Sequence, residues 1–431
     1  MIDPRVFRDA DAYGAACQRL ARRGPDPELA ALLARLFEDA ERRRRAIAEG
    51  DALKAELNAK SRQVGEQKKK GEDTSALLAE LGGLSQRAEA AQAAAGALDA
   101  AFAAALLEVP NIPADDAPAG DASHNEIVRA WGTPAPAEPW RRPHWDVAKA
   151  LGLLDFERGT KLSGAGFPLY TGLGARLERA LITYLLQLQA LEHGYIEVSP
   201  PFLVTRETMT GTGQLPKFEA DLYRIDSDDL FLVPTAEVPV TNLYRGEILS
   251  GAELPRRYVA YTPCFRREAG AHGADTRGIL RVHQFDKVEL VWFTLPEASL
   301  AAHEELTRHA ETALQRLEIP YRVVRIAAGD MGFANHRQYD LEAWAPGVGK
   351  WLEVSSCSTY ADFQARRMDI RLRRHQGAKP EFVHTLNGSA LGLARTLIAL
   401  LETHLEPDGS MRVPRVLVPY MGVERIGPGA A

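Results

Sequence analysis

Tyr258-Val-Ala-Tyr-Thr-Pro-Cys-Phe-Arg-Arg-Glu268 and Ile279-Leu-Arg-Val-His-Gln-Phe-Asp-Lys-Val-Glu-Leu-Val-Trp292 flank a loop running from Ala269 to Gly278. Both flanks are rich in β-branched and aromatic residues, and the loop between them is Gly-rich, so a long antiparallel hairpin is predicted. Side chains alternate along a strand. Arg266 and Glu268 then share one face of the first strand, and Phe285, Lys287 and Glu289 share one face of the second. An arginine, two carboxylates and an aromatic ring on one sheet surface are costly for a plain core, because buried charges need partners. The hairpin alone leaves two readings open, a solvated face with an Arg266/Glu268 ion pair or a binding site.

Outward from the hairpin, 431 residues allow two or more domains with a sizeable core, and 45% hydrophobic with 26% charged residues is ordinary for a soluble globular protein. A net charge of -6 excludes a uniformly basic nucleic-acid coat while permitting a local basic patch. The start, Met-Ile-Asp-Pro-Arg, lacks a signal-peptide pattern. The most apolar run, Ala93 to Val109, is interrupted by Asp99 and too short for a bilayer. A cytoplasmic protein without membrane partners is expected. Cys17, Cys264 and Cys357 are scattered, which suggests neither a disulfide framework nor a zinc site. Asn387-Gly-Ser matches a glycosylation acceptor, but a chain without an export signal never meets that machinery, so this tripeptide needs another explanation.

Toward the N-terminus, Gly24-Pro-Asp-Pro precedes a long helical segment with apolar positions Leu29, Leu33, Leu36, Ala40, Ile47, Leu57 and Val64. After the turn Lys68-Lys-Lys-Gly-Glu-Asp, a second helix returns with Leu81, Leu84, Ala88, Ala91, Ala95, Leu98, Phe102 and Ala105, in the alternating steps of three and four of a heptad seam. The pair predicts an antiparallel coiled-coil arm, residues 28–106, projecting about 60 Å. Arg42, Arg43, Arg44, Arg45, Lys54, Lys60 and Arg62 line the outgoing helix, and Lys68, Lys69 and Lys70 mark its tip. Such a run is either a solvated face or a phosphate-binding rail.

A Pro/Asp/Gly-rich run from 109 to 125 reads as a linker. Leu177 to His193 is an amphipathic helix ending at Gly194. Tyr195-Ile-Glu-Val follows as a strand whose Pro200 and Pro201 place it at an edge or an interface. Further strand-like runs at 230–233 and 351–355 lie among helices without regular alternation, so the α+β class with an antiparallel sheet flanked by helices is predicted.

Four pieces then align: Arg266 with Glu268, Thr235-Ala-Glu237, Glu353-Val-Ser-Ser356, and Asn387-Gly-Ser389 followed by a helix carrying Arg395. With Gly194, Pro201 and Phe363-Gln-Ala-Arg-Arg, and with the arm, the chain resembles the bacterial-type seryl-tRNA synthetases, members of the class II aminoacyl-tRNA synthetases. The resemblance spans essentially the whole chain. It implies an N-terminal tRNA-binding domain over 1–108 and a class II catalytic domain over 126–431. It also implies a homodimer in which the arm of one subunit serves the active site of the other.

The implied reaction joins L-serine and ATP into seryl-adenylate and passes the seryl group to the terminal ribose of tRNA(Ser). Placing a carboxylate against a phosphate requires cationic groups. By the resemblance, Arg266 bridges the serine carboxylate and the α-phosphate, Arg395 clamps the γ-phosphate, Phe285 stacks on adenine and Glu268 accepts from its amino group. Val282, Val354 and Ser355 join the ATP site. Glu353 and Ser356 hold Mg²⁺, although strict alternation pairs Glu353 with Ser355 and so requires a bulge or strand end. Thr235, Ala236, Glu237, Arg266, Glu289, Asn387 and Ser389 form the serine site. Arg42 to Arg45, Lys54 and Lys68 to Lys70 contact tRNA. No zinc is expected. Ala390 and Ala394 depart from the family's commoner glycines, which predicts tighter packing with no loss of activity.

Taken singly, Thr235 and Ser389 could be helix N-caps, Glu237 and Glu289 surface carboxylates, and Arg395 an ordinary helix arginine. Two other functions stay open: a synthetase-like ligase loading an amino acid onto a carrier protein, and a non-catalytic coiled-coil paralogue.

Overall fold

A computed structural model describes residues 1–136, 138–269 and 277–428. It forms two compact units, one of residues 1–21 and 25–110, the other of residues 22–24 and 111–431.

The first unit is helical. α1 is Ala10–Leu20, α2 is Pro27–Lys69 and α3 is Ser75–Leu106. α2 starts where the Asp26 side chain accepts from the Leu29 amide at 2.9 Å and Pro27 supplies a preset φ. The turn after it uses Gly71 at φ +74°. The seam buries Leu33, Leu36, Ala40, Leu53 and Val64 of α2 against Leu84, Ala88, Phe102 and Leu106 of α3. Ile47, expected on the seam, is 40% exposed, and Leu53 takes the inward place in steps of four, three and four with Leu57, Lys60 and Val64.

The arm's cations divide in two. Arg42 pairs with Glu38 and Asp39, Arg43 with Asp99, Arg45 with Glu41, and Lys60 with Glu80 at 2.9 Å, while Arg44 donates to the Arg8 carbonyl at 2.6 Å. Among the described residues no ion pair engages Lys54, Lys68, Lys69 or Lys70.

The second unit is built on an eight-stranded sheet: β1 Glu126–Trp131, β2 Ile196–Glu197, β3 Arg256–Phe265, β4 Gln284–Thr294, β5 Tyr321–Arg325, β6 Arg337–Ala345, β7 Lys350–Ala361 and β8 His384–Gly392. Their order is β1-β5-β6-β7-β8-β4-β3-β2. All neighbours are antiparallel except β2, a short edge strand that pairs parallel to β3. The sheet is therefore mixed at one margin, where Pro200 and Pro201 lie just beyond the edge strand as their chemistry requires. α4 Leu173–Gln187, α5 Ser299–Arg316 and α6 Leu393–Thr403 pack apolar stripes onto the sheet through Leu177, Leu181 and Leu185, Leu306, Ala310 and Leu314, and Leu397, Leu400 and Leu401. α4 continues as a π turn over Leu188–Glu192 and stops at Gly194, φ +72°.

The quoted hairpin forms with Phe285 opposite Cys264 and Glu289 opposite Ala260. Its ends differ from the period-two expectation. β3 stops at Phe265, so Arg266 and Glu268 lie past the strand, Glu268 at φ +51°, although the Arg266 N–H still donates to the His283 carbonyl at 2.9 Å. Most of the loop expected between Ala269 and Gly278, residues 270–276, lies outside the described residues.

The run after Pro110 is packed into the second unit. The Arg23 guanidinium donates to the carbonyls of Asn111 at 3.0 Å, Met331 at 3.2 Å and Asn335 at 2.8 Å, and Asn111 donates to those of Ala334 and Tyr360, both at 2.9 Å.

Candidate active site

A cavity of about 630 Å³ opens over one face of β4, β7 and β8. Every residue expected in the serine and ATP sites lines it except Ala236. Ala236 packs with Val240, Tyr258 and Phe293 in an apolar cluster, so its side chain serves the core.

One end is a buried polar set. Alternation along β4 presents Phe285, Lys287 and Glu289 to the cavity. Glu289, 1% exposed, lies opposite Ser389 on β8. Asn387 donates to one of its oxygens at 2.7 Å and the Ser389 hydroxyl to the other at 3.4 Å, and Lys287 forms an ion pair with it. The Lys287 ammonium also donates to the Thr235 hydroxyl at 2.7 Å, and that hydroxyl accepts the Glu237 amide at 3.2 Å. Thr235 thus stands one residue before Ala236, the N-cap of the short helix Glu237–Thr241, and faces the cavity. Ser389 sits inside a strand, and Glu237 and Glu289 are buried, so the readings of Ser389 as a helix cap and of both carboxylates as surface groups are overturned.

Glu237 accepts from Gln364 at 2.6 Å, and Tyr360 donates to Asn387 at 2.7 Å. Burial pushes the Glu237 carboxyl up to about 7. The Glu289 charge pushes in the same direction, and the Lys287 ammonium pulls back. Two acidic groups and one ammonium share this pocket, which suits a ligand that brings one further cationic group and a hydroxyl.

The other end is open and cationic. The Arg266 guanidinium lies 5.1 Å from the Phe285 ring centre and donates to the Pro234 carbonyl at 3.4 Å. Glu268 pairs with Arg281 at 2.9 Å. Arg395, in the first turn of α6, donates to the Leu280 carbonyl at 3.3 Å and the Glu353 carbonyl at 3.1 Å, with the Glu353 carboxylate at 3.4 Å. Two planar guanidinium forks, that of Arg266 over the Phe285 ring, can grip phosphate oxygens and a carboxylate.

β7 resolves the conflict over Ser356. Its pairing with β6 runs Glu353 to Glu342 and then Ser355 to Leu341, leaving Val354 as the extra residue of a bulge. Glu342 and Asp340 are two apart on β6, so their partners Glu353 and Ser356 come to the same face. Among the described residues no three or more His, Cys, Asp or Glu cluster as metal ligands. One carboxylate and one hydroxyl nevertheless fit Mg²⁺, which takes few protein oxygens and completes its shell with phosphate oxygens and water. Asp340 stands across from Ser356 on β6 with its carboxyl raised, first by burial and then by the Glu353 charge.

Sequence reasoning placed Lys287 on the correct face without a role, and it quoted Gln364 only as part of a motif. Tyr360 and Asp340 were missed. Period two from Ser356 through Ser358 was the available signal for Tyr360.

The N-terminal 113 residues match the family model for the seryl-tRNA synthetase N-terminal domain, and residues 217–404 match the class II tRNA synthetase core domain shared by the G, H, P, S and T enzymes. The chain is 53% identical over 422 residues to the serine–tRNA ligase of Gemmatimonas aurantiaca, covering 98% of this chain and 99% of that one. It is 50% identical to the serine–tRNA ligase of Thermomicrobium roseum over 430 residues, 99% and 95% of the two chains. The Pyrococcus horikoshii seryl-tRNA synthetase complexed with ATP superposes with a TM-score of 0.93 at 36% identity, over 99% of this chain and all of that one. The Naegleria fowleri cytoplasmic serine–tRNA ligase with AMP gives 0.88 at 30% identity, over 100% and 99%.

Proposed function

This chain belongs to the seryl-tRNA synthetase family, and from that membership we infer that it is an ATP-dependent serine–tRNA ligase. The observation that carries the assignment of its site is the buried Glu289, held between Lys287, Asn387 and Ser389 beside Glu237. The serine ammonium enters beside Thr235 and Glu237, and the serine hydroxyl donates to Glu289. A pocket built to bond a hydroxyl rejects alanine by roughly 10⁴ to 10⁵ without editing. The enclosed walls exclude the extra methyl of threonine.

Arg266 draws the serine carboxylate and the α-phosphate together. The carboxylate oxygen forms a bond to the α-phosphorus, the bond to the β-phosphate oxygen breaks, and pyrophosphate leaves. Arg395 holds the terminal phosphate, Phe285 supports the adenine ring and Glu268 accepts from its amino group after turning from Arg281. Glu353 and Ser356 would hold Mg²⁺, which when bound neutralises phosphate oxygens. In the second half-reaction a terminal ribose hydroxyl of tRNA(Ser) attacks the seryl carbonyl carbon, forming the ester and releasing AMP.

The unpaired lysines of the helical arm, Lys54 and Lys68 to Lys70, supply phosphate contacts to tRNA. The exposed Leu191, Ile196, Phe202 and Leu203, on and beside the short edge strand β2, support a homodimer through that margin. No described helix is long and apolar enough to cross a membrane, and a cytoplasmic location fits the expected role. Pyrophosphate exchange with serine, threonine, alanine and cysteine, followed by charging of total tRNA, tests the whole reading. Serine-specific exchange without transfer to tRNA would move it to a carrier-protein ligase.

A further inference from the structure

We propose that His144, oriented by Glu402, is a positioning residue for ATP. It fixes the chain segment that forms one wall of the nucleotide end of the cavity. This rests on the ATP reading of that end.

His144 and Glu402 are both fully buried and lie 258 positions apart in sequence. The Glu402 carboxylate is saturated. One oxygen takes the His144 amide at 2.8 Å and the His144 Nδ1 at 3.2 Å, and the other takes the amides of Gly347 at 2.8 Å and Val348 at 3.0 Å. A carboxylate held by three backbone amides cannot swing away, so Nδ1 is the ring nitrogen that carries the proton. Nε2 is left as an acceptor, and the Ile279 amide donates to it at 3.2 Å.

Ile279 opens the segment whose next residues, Leu280, Arg281 and Val282, line the cavity. Three grips hold this segment in succession. The Arg277 guanidinium lies 4.4 Å from the Trp145 ring centre, His144 takes the Ile279 N–H, and Arg395 takes the Leu280 carbonyl. Gly278, at φ +72°, passes so close that a Cβ there would stand 2.1 Å from His144 Nε2. A glycine and a histidine acceptor are thus matched at one point. Glu402 and Arg395 belong to the same helix, α6, seven residues apart and on one side of it. The helix therefore presents a phosphate-gripping arginine at its start and orients the wall opposite through His144 near its end.

A group with a merely structural role would affect both substrates alike, whereas a displaced wall at residues 280–282 affects the nucleotide. In serine-dependent pyrophosphate exchange, His144→Met is expected to raise the KM for ATP about tenfold while the KM for serine moves less than about twofold. His144→Gln, which can return an acceptor oxygen to the Ile279 N–H, is expected to recover most of that loss. An unchanged ATP KM in His144→Met, equal rises for both substrates, or no recovery in His144→Gln would overturn the proposal. Should His144→Met not fold, Trp145→Leu, altering a half-buried side chain, carries the test. An ATP KM raised about threefold with serine unaffected supports the proposal, and an unchanged one overturns it. Absence of exchange in the unmodified protein would instead strike the ATP reading itself.

Discussion

Glu289 and Ser389 stand directly opposite each other across the neighbouring strands β4 and β8, and the hydroxyl donates to the carboxylate over 3.4 Å. Ala390 is the extra residue in that register. It is wholly buried in the main core, where its methyl fills space beside the bulge.

The first prediction concerns this pair. Ser389→Ala removes one donor while Asn387 and Lys287 still hold Glu289, so the KM for serine should rise about tenfold, near 1.4 kcal/mol. Glu289→Gln leaves the buried Lys287 ammonium without its counter-charge and should lower kcat/KM at least about a hundredfold. Exchange kinetics check both. A Glu289→Gln enzyme of ordinary efficiency would refute the pocket's assignment.

The second concerns pH. Glu237 titrates near 7 in the folded protein, above the ordinary carboxyl value of about 4.3. Between these values the folded state keeps a proton that the unfolded chain has lost, so this group's contribution to stability falls as pH rises from about 4.3 to about 7 and is constant above. Binding of an ammonium group favours the ionised form, so the KM for serine should fall as pH rises through about 7. Glu237→Gln should flatten both dependences, read by pH-resolved exchange and by Tm.

The third concerns the bulged strand. Glu353→Gln keeps shape but removes the anionic oxygen from the Mg²⁺ position, so half-maximal exchange should require roughly tenfold more Mg²⁺. Titration at fixed ATP reads this directly, and an unshifted Mg²⁺ midpoint counts against the site.

The fourth separates the arm's cations. Replacing Lys68, Lys69 and Lys70 with serine should leave exchange unchanged, weaken tRNA charging and reduce the salt slope by up to about 0.9 per lost phosphate contact. Arg43→Ser breaks the pair with Asp99 and the guanidinium's contact with Phe102, 5.5 Å from the ring centre, so thermal stability should fall as well.

Much of the site was legible from period two. Phe285, Lys287 and Glu289 face the cavity together because they alternate, and Asn387 with Ser389 obeys the same rule on β8. Alternation failed where strands end or slip. Arg266 and Glu268 reach the cavity from beyond the end of β3, and Ser356 shares a face with Glu353 only because Val354 is an extra residue. Neither event has a local signature in these residue types. Roles that depend on tertiary pairing were also invisible: nothing in the order of residues joins Gln364 to Glu237, or His144 to Glu402. In the arm, composition gave the helices, but packing chose Leu53 over Ile47 for the seam.

The extra residue at Val354 divides one strand into two reading frames. Before it, Trp351 and Glu353 carry the site's parity; after it, Ser356, Ser358 and Tyr360 do, while Cys357 turns to the apolar core. Were that valine drawn into regular pairing instead of bulging, every polar side chain would remain and yet inside and outside would exchange along the rest of the strand. What this strand carries at that point is therefore a phase as much as a set of residues, and a graft that copied Glu353 through Ser356 into an unbulged ladder would carry the letters and lose the site.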